Sequence, residues 1–220
     1  MAINGTETEI KLRVPDISVL RRQLARLHAK AQPRVFEQNT LYDTSLRELR
    51  ESGRLLRIRT STPSPIGRGS ARLAQTRAAA QTNSGSHAML TYKAPPTPSI
   101  VAGTRSRYKE NQELEIAFQP AHNLEAILAA LGLAASFRYE KFRTSYRLRS
   151  IPGLHLDLDE TPIGDYLELE GSPASIDRAA HLLGFIPQDY ITGTYWDLYL
   201  ADCRGRNVTP THLVFSQRKK

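Results

Sequence analysis

The sequence predicts an α+β protein: an eight-stranded antiparallel β-barrel with amphipathic helices packed outside it. One domain is expected over residues 1–203, followed by a basic, disordered tail over 204–220. Three observations predict this fold. Charged residues alternate with apolar ones along six candidate strands, hairpin-like turns join most strands, and three segments carry apolar residues at helical spacing that need sheet surface to cover.

The alternation begins at Glu7-Thr8-Glu9-Ile10-Lys11. In a strand Glu7, Glu9 and Lys11 share one face while Thr8, Ile10 and Leu12 share the other. One such strand describes any half-exposed sheet. Here the pattern recurs: Arg57 and Arg59 flank Ile58, Glu113 and Glu115 flank Leu114, and Lys141 and Arg143 flank Phe142. Asp157 and Asp159 flank Leu158, and Glu168 and Glu170 flank Leu169.

In chain order, the first strand runs from about Thr6 to Val14. Asp16 caps a helix in which Ile17, Leu20, Leu24 and Leu27 form one stripe, ending near Pro33. Val35–Asp43 and Arg54–Thr60 are the second and third strands. Residues 61–87, rich in turn formers, are expected as a flexible loop inserted in the domain. Ala88–Lys93 and Asn111–Phe118 follow as strands. Leu124, Ile127, Leu128 and Leu131 then mark a helix stopped by Gly132. Lys141–Arg149 and Leu154–Glu160 turn at Pro152-Gly153, and Pro162-Ile163-Gly164 leads into Asp165–Glu170. Ser172-Pro173 starts a helix carrying Ile176, Ala179, Ala180 and Leu183.

Composition narrows the function. Thirty Lys+Arg against 22 Asp+Glu give a formal charge of +8, which suits a polyanionic partner. The single cysteine, Cys203, excludes an intramolecular disulfide, and no Cys/His cluster suggests zinc. With no signal-like start and no run of 18 apolar residues, the expectation is a cytoplasmic protein without a membrane partner.

Eight antiparallel strands can close a barrel. If the helices cover the apolar face outside, the charged face lies inside and forms a tunnel. Buried ions are costly unless paired or bound, so such a tunnel implies an ionic ligand. Glu7, Glu9, Glu168 and Glu170, from the first and last strands, could hold a hard divalent cation. Lys11, Arg57, Arg59, Lys93, Lys141 and Arg143 could clamp phosphate oxygens. Metal beside cations suits a metal-bound polyphosphate.

These residues resemble a known family. Glu7-Thr8-Glu9-Ile10-Lys11 is similar to the ExExK signature of the CYTH, or triphosphate tunnel metalloenzyme, superfamily, which includes class IV adenylate cyclases, thiamine triphosphatases and inorganic triphosphatases. Further similarities follow in order at Gln38–Asp43, Leu56–Arg59, Leu90–Lys93, Glu113–Glu115, Glu140–Arg143 and Gly164–Glu170. The resemblance spans residues 6 to 200. It implies an eight-stranded tunnel with Mg2+ or Mn2+ on Glu7, Glu9, Glu168 and Glu170, and triphosphate on the matching Lys and Arg residues. The segment Tyr139–Tyr146 and Thr194-Tyr195-Trp196 look more like the cyclase branch.

Glu113 and Glu115 fit either partners of tunnel cations or contacts to metal or substrate. Asp157 and Asp159 are open in the same way, while His155 is expected to be a strand residue and Arg147 and Arg149 to reach solvent. Two reactions suit the platform: cyclisation of ATP to cyclic AMP and pyrophosphate, or hydrolysis of an inorganic, nucleoside or thiamine triphosphate. Lys11, if neighbouring cations depress its pKa, and Tyr195 are the candidate catalytic bases, with Lys11 favoured as a phosphate ligand. The expected partners are a triphosphate-bearing small molecule and a second copy in a homodimer. A non-enzymatic binder of polyphosphate or nucleic acid would use the +8 charge and Arg218-Lys219-Lys220, but gains nothing from the acidic pairs.

Overall fold

A computed structural model describes residues 5–64, 87–96, 106–118 and 121–215. Its strands are β1 (Gly5–Val14), β2 (Lys30–Ala31), β3 (Val35–Asp43), β4 (Leu55–Pro63), β5 (His87–Ala94), β6 (Lys109–Phe118), β7 (Ala134–Arg147), β8 (His155–Thr161) and β9 (Gly164–Glu170). The pairing runs β7-β3-β4-β5-β6-β1-β9-β8, and β7 pairs with β8 to close an eight-stranded antiparallel barrel. The two residues of β2 extend one end of β7. The predicted fold is the observed one.

The helices are α1 (Ile17–Arg26), α2 (Glu48–Glu51), α3 (Ala121–Ala130), α4 (Pro173–Leu182) and α5 (Tyr195–Arg206). Asp16 caps α1 by accepting from the backbone N–H groups of Ser18 and Val19, and Ser172 caps α4 by accepting from Ser175. α1 and α4 cover the barrel where its outer face is most apolar. Ile10 and Leu12 of β1, Leu156 and Leu158 of β8, and Leu167 and Leu169 of β9 pack with Leu20 and Leu24 of α1 and Ile176, Ala179 and Ala180 of α4. Each such aliphatic side chain contributes about 1.5–3 kcal/mol by leaving water. A one-residue slip of β1 would trade Ile10 and Leu12 for Glu9 and Lys11, so the outer core fixes which charges face inward.

Several boundaries differ from expectation. α1 stops at Arg26, well before Pro33, because His28 takes a left-handed conformation (φ 53°) that cannot continue a helix. β7 begins at Ala134, not Lys141, and ends at Arg147. Ile127 and Leu131 of the expected α3 stripe are exposed, and only Leu124 and Leu128 pack inward. Of the expected loop at 61–87, residues 61–63 belong to β4 and residue 87 to β5, while 65–86 lie outside the described residues.

The expected disordered tail is also corrected for residues 204–215. α5 continues through Cys203 to Arg206, held at its start by reciprocal bonds between Thr194 and Asp197. The following chain runs back along β7: Leu213 is buried and bridges Tyr139 in parallel, and Phe215 packs on Phe142. Apolar residues at alternate positions, Leu213 and Phe215, give this stretch something to bury. Residues 216–220 lie outside the described residues. Among the described residues no helix is long and apolar enough to cross a membrane.

Candidate active site

The inner face of the barrel encloses a cavity of about 380 Å³, and its lining holds seven Lys or Arg side chains and seven Asp or Glu. The register arranges these charges as opposed pairs. Lys11 faces Glu168, Lys93 faces Glu113, Glu37 faces Lys141, Arg143 faces Asp159 and Glu9 faces Lys109. Two cross-strand neighbours break the rule, Glu9 with Glu170 and Asp157 with Glu168, both among β1, β9 and β8. Like charges directly opposite repel, so these two are the least compensated pairs of the ladder.

The basic side is held by specific contacts. Arg143 donates through Nε and Nη2 to Asp159 (2.7 and 2.6 Å) and through Nη1 to Asp157 (2.7 Å), and also pairs with Glu168. Lys141, almost wholly buried, donates to Asp159 at 2.7 Å and lies 3.7 Å from Glu37. Arg57 donates to the Tyr139 hydroxyl (3.1 Å) and to Thr91 (3.2 Å), whose hydroxyl donates to Glu115. Arg59 donates to Asn39 at 3.2 Å. Lys93 bridges Glu7 and Glu113. Every charged residue expected in the tunnel lines this cavity except Asp159, which is fully buried behind it.

Neither expected base is poised to take a proton. Carboxylates, not cations, dominate around Lys11: Glu168 lies 3.3 Å away and Glu9 3.5 Å, and with Asp159 they raise its pKa in spite of burial. The expected depression of Lys11 is therefore reversed, and the ammonium is held charged. Tyr195 donates its hydroxyl to Asp159 at 2.6 Å, and burial followed by the charges of Asp159 and Glu168 pushes its pKa well up. Its ring sits beside both the Lys141 and Lys11 ammonium groups, at 5.0 and 5.5 Å. Tyr195 acts as a buried prop under the cations.

Pattern reading missed three participants. Glu37 is buried between Arg59 and Lys141, Lys109 pairs with Glu9 at 2.8 Å, and Tyr139 receives Arg57. Glu37 lacks a like-charged neighbour two residues away, and Lys109, although it follows Arg107 at that spacing, precedes the expected start of its strand. His155 lines the cavity edge and is exposed, as a strand residue should be.

The family model of the CYTH domain matches residues 5–183. The chain belongs to the CYTH family. Solved structures share its fold. A proposed adenylate cyclase from Vibrio parahaemolyticus is 14% identical with a TM-score of 0.65, covering 89% of this chain and 98% of that one. A Pyrococcus horikoshii protein is 19% identical with a TM-score of 0.65, covering 89% and 99%. A proposed adenylyl cyclase from Hippeastrum with a dominant triphosphatase activity is 18% identical with a TM-score of 0.55, covering 89% and 96%. No curated protein sequence matches the chain.

CYTH proteins are triphosphate tunnel metalloenzymes that use divalent metals. In this CYTH tunnel the acids offer the hard oxygen donors such ions take. Glu170 makes no hydrogen bond or ion pair among the described residues, and burial, then the nearby Glu7 charge, push it up to about 7. Burial and a hydrogen bond with Glu7 push Glu113 up to about 8. Among the described residues, no three such groups are already gathered around one point. Glu7, Glu9 and Glu168 instead engage lysines or Arg143, so gathering an ion means exchanging those partners.

Glu37 gives the CYTH barrel a testable acid response. Burial opposes its ionisation, but Arg59, Arg143 and Lys141 prevail and hold its pKa down at about 2 against an ordinary 4.5. A depressed carboxyl contributes stability that is complete above its unfolded value and is lost as pH falls through the folded one. Thermal unfolding between pH 4.5 and 2 should therefore fall less steeply with acid in Glu37→Gln than in the parent. Parallel curves in that window would show that Glu37 is not ionised in the fold.

Proposed function

We propose that this CYTH protein is a metal-dependent enzyme that acts on a triphosphate ester held in the tunnel, with class IV adenylate cyclase-like chemistry: ATP to cyclic AMP and pyrophosphate. The observation that carries the reading is the charge balance of the cavity. Seven Lys or Arg side chains face seven acids, of which Glu113 and Glu170 are pushed toward the neutral form, so the small net positive charge falls short of a triphosphate's roughly four negative charges and further positive charge is needed. The opposed acids on β1, β8 and β9 are where that charge would sit.

A divalent cation on Glu7, Glu9, Glu168 and Glu170 would supply charge neutralisation of the phosphate oxygens. Arg57, Arg59, Lys93, Lys141 and Arg143 bind and orient the chain of phosphates from the other walls, and Lys11 adds a fixed ammonium between Glu9 and Glu168. Arg143 and Arg59 present planar forks that contact two oxygens at once. In cyclisation the bond from the ribose 3′-oxygen to the α-phosphorus forms as the bond to pyrophosphate breaks, and the hydroxyl proton passes to solvent water, since Lys11 is held charged and Tyr195 already donates to Asp159. In-line placement of that hydroxyl is the tunnel's main task.

A second reading, triphosphate hydrolysis, is supported by the dominant triphosphatase activity of the similar Hippeastrum protein. ATP, GTP, thiamine triphosphate and inorganic triphosphate, each with Mg2+ or Mn2+, separate the two when orthophosphate, pyrophosphate and cyclic nucleotide are resolved. Equal yields of cyclic nucleotide and pyrophosphate are expected, and EDTA should abolish them. Orthophosphate without cyclic nucleotide selects hydrolysis, and no product from any substrate sinks the enzyme reading. Arg143→Lys should slow turnover by about tenfold or more, because a point charge cannot replace the fork.

A further inference from the structure

One edge of β1 passes from one partner to another within the tunnel. From Gly5 to Glu9 that edge pairs with β6, and the ladder stops where Glu9 meets Lys109, the first residue of that strand. Beyond it Lys11 exchanges two backbone hydrogen bonds, each 2.9 Å, with Ile191 from the segment between α4 and α5. A seam therefore lies between Lys109 and Ile191, opposite Glu9 and Lys11, two charges of the tunnel lining.

A cluster outside the barrel spans this seam. Tyr108 immediately precedes Lys109, Tyr190 immediately precedes Ile191, and their ring centroids are 6.3 Å apart. Both hydroxyls donate to one oxygen, Oδ1 of Asp177 in α4, at 2.8 and 2.9 Å. The other oxygen of Asp177 accepts from Arg107, whose Nε also donates to the Tyr108 hydroxyl at 2.9 Å. Both rings pack against the aliphatic core under α1 and α4. Burial, then the bond to Asp177, raises the pKa of each hydroxyl, so both remain donors at neutral pH. One carboxylate thus ties together the two segments that share the edge of β1.

We propose that Asp177 is a positioning residue for the tunnel: by clamping Tyr108 and Tyr190 it closes the seam and sets the Lys109 ammonium against Glu9. The proposal rests on the reading of the tunnel as a triphosphate site and assigns part of its geometry to a residue outside it. Lys109 is one of the seven cations of the lining, and its ladder partner among the described residues is Glu9 alone. Strand ends fray at little cost, so the place of Lys109 depends on what holds the residue before it. A cation fixed in advance binds phosphate without the entropy of ordering it at the time of binding.

Two measurements test this: equilibrium binding of inorganic triphosphate with Mn2+, and hydrogen exchange at the Lys11 and Ile191 amides. Asp177→Ala should weaken binding by about fivefold or more and speed exchange at both amides by about tenfold. Asp177→Asn keeps an oxygen for the two hydroxyls and should restore most of both. The double variant Tyr108→Phe, Tyr190→Phe keeps the rings and removes the clamp, so it should reproduce Asp177→Ala and serves if that variant fails to fold. In a Lys109→Met background Asp177→Ala should cost little further affinity, because the residue through which it acts is already gone. The same loss in that background would reduce Asp177 to a structural prop and overturn the proposal. Parent-like binding or parent-like exchange in the clamp variants overturns it as well and leaves the tunnel reading standing. Failure of the parent to bind triphosphate overturns the tunnel reading and the positioning role with it.

Discussion

Glu168→Gln is expected to lower turnover of a triphosphate by about a hundredfold or more while the barrel stays folded. Glu168 stands where the two chemistries of the tunnel meet. It pairs with Arg143, lies 3.3 Å from Lys11 and 3.9 Å from Lys141, and sits opposite Asp157 across the β8–β9 ladder. Glutamine preserves size but removes the negative charge, so the proposed divalent ion would lose a ligand and three cations lose a shared anchor. Burial opposes its ionisation, but Lys141, Lys11 and Arg143 hold its carboxyl well below the usual range, so the parent side chain is fully charged at neutral pH. The fold should survive because Asp159 still receives both Lys141 and Arg143. Initial rates at saturating Mn2+, beside a thermal melt, check the result. Full activity in the variant would remove Glu168 from the metal site.

Lys141→Met is expected to act on stability instead, with a loss of about 3–5 kcal/mol. Lys141 is 1% exposed, and its ammonium faces Asp159, Glu37 and Glu168 with almost no access to water. Methionine fills the volume but leaves Asp159, Glu37 and Glu168 each short of one cation around an apolar group. For a domain of this size that corresponds to a drop of roughly 10 °C in Tm. Combining it with Asp159→Asn should cost less than the sum of the two single changes, since each removes a partner the other needed. Additive losses would mean that Lys141 and Asp159 do not depend on each other, contrary to their 2.7 Å contact.

The barrel was legible because its polarity is written at spacing two. Glu7 with Glu9, Arg57 with Arg59, and Lys141 with Arg143 each declare an inward face, and Ile58 and Phe142, between charged pairs, declare the outward one. What escaped was carried by single residues or by weak periodicity. Glu37 stands alone among Phe36, Gln38 and Asn39, so no alternation announces it, and only the β3–β7 register brings it to Lys141. α5 reads Tyr-Trp-Asp-Leu-Tyr-Leu-Ala-Asp-Cys and mixes apolar residues around the whole helix, which hides its period. Its usable signal was the Thr194-x-x-Asp197 cap. A second cavity of about 380 Å³ beside the tunnel was invisible for a different reason. Its walls come from β3, α2, β4, β5, β6, β7 and α5, and no local pattern records that they meet.

The closure of the barrel also dictates when its parts can come together. β1 pairs with β9, joining Glu9 to Glu170 about 160 positions later in the chain, and with β6 about 100 positions away. Pairings this remote must overcome a large loop-closure entropy before they return any stability, so the barrel is of the slow-folding kind. During synthesis Ile10 and Leu12 can meet Leu20 and Leu24 of α1 early, but β9 and α4, which complete their burial, follow much later. Until then β1 is only partly covered and its edges are open to wrong partners. The same delay governs the acids of β1 and β9, which become neighbours only when the ends of the barrel join.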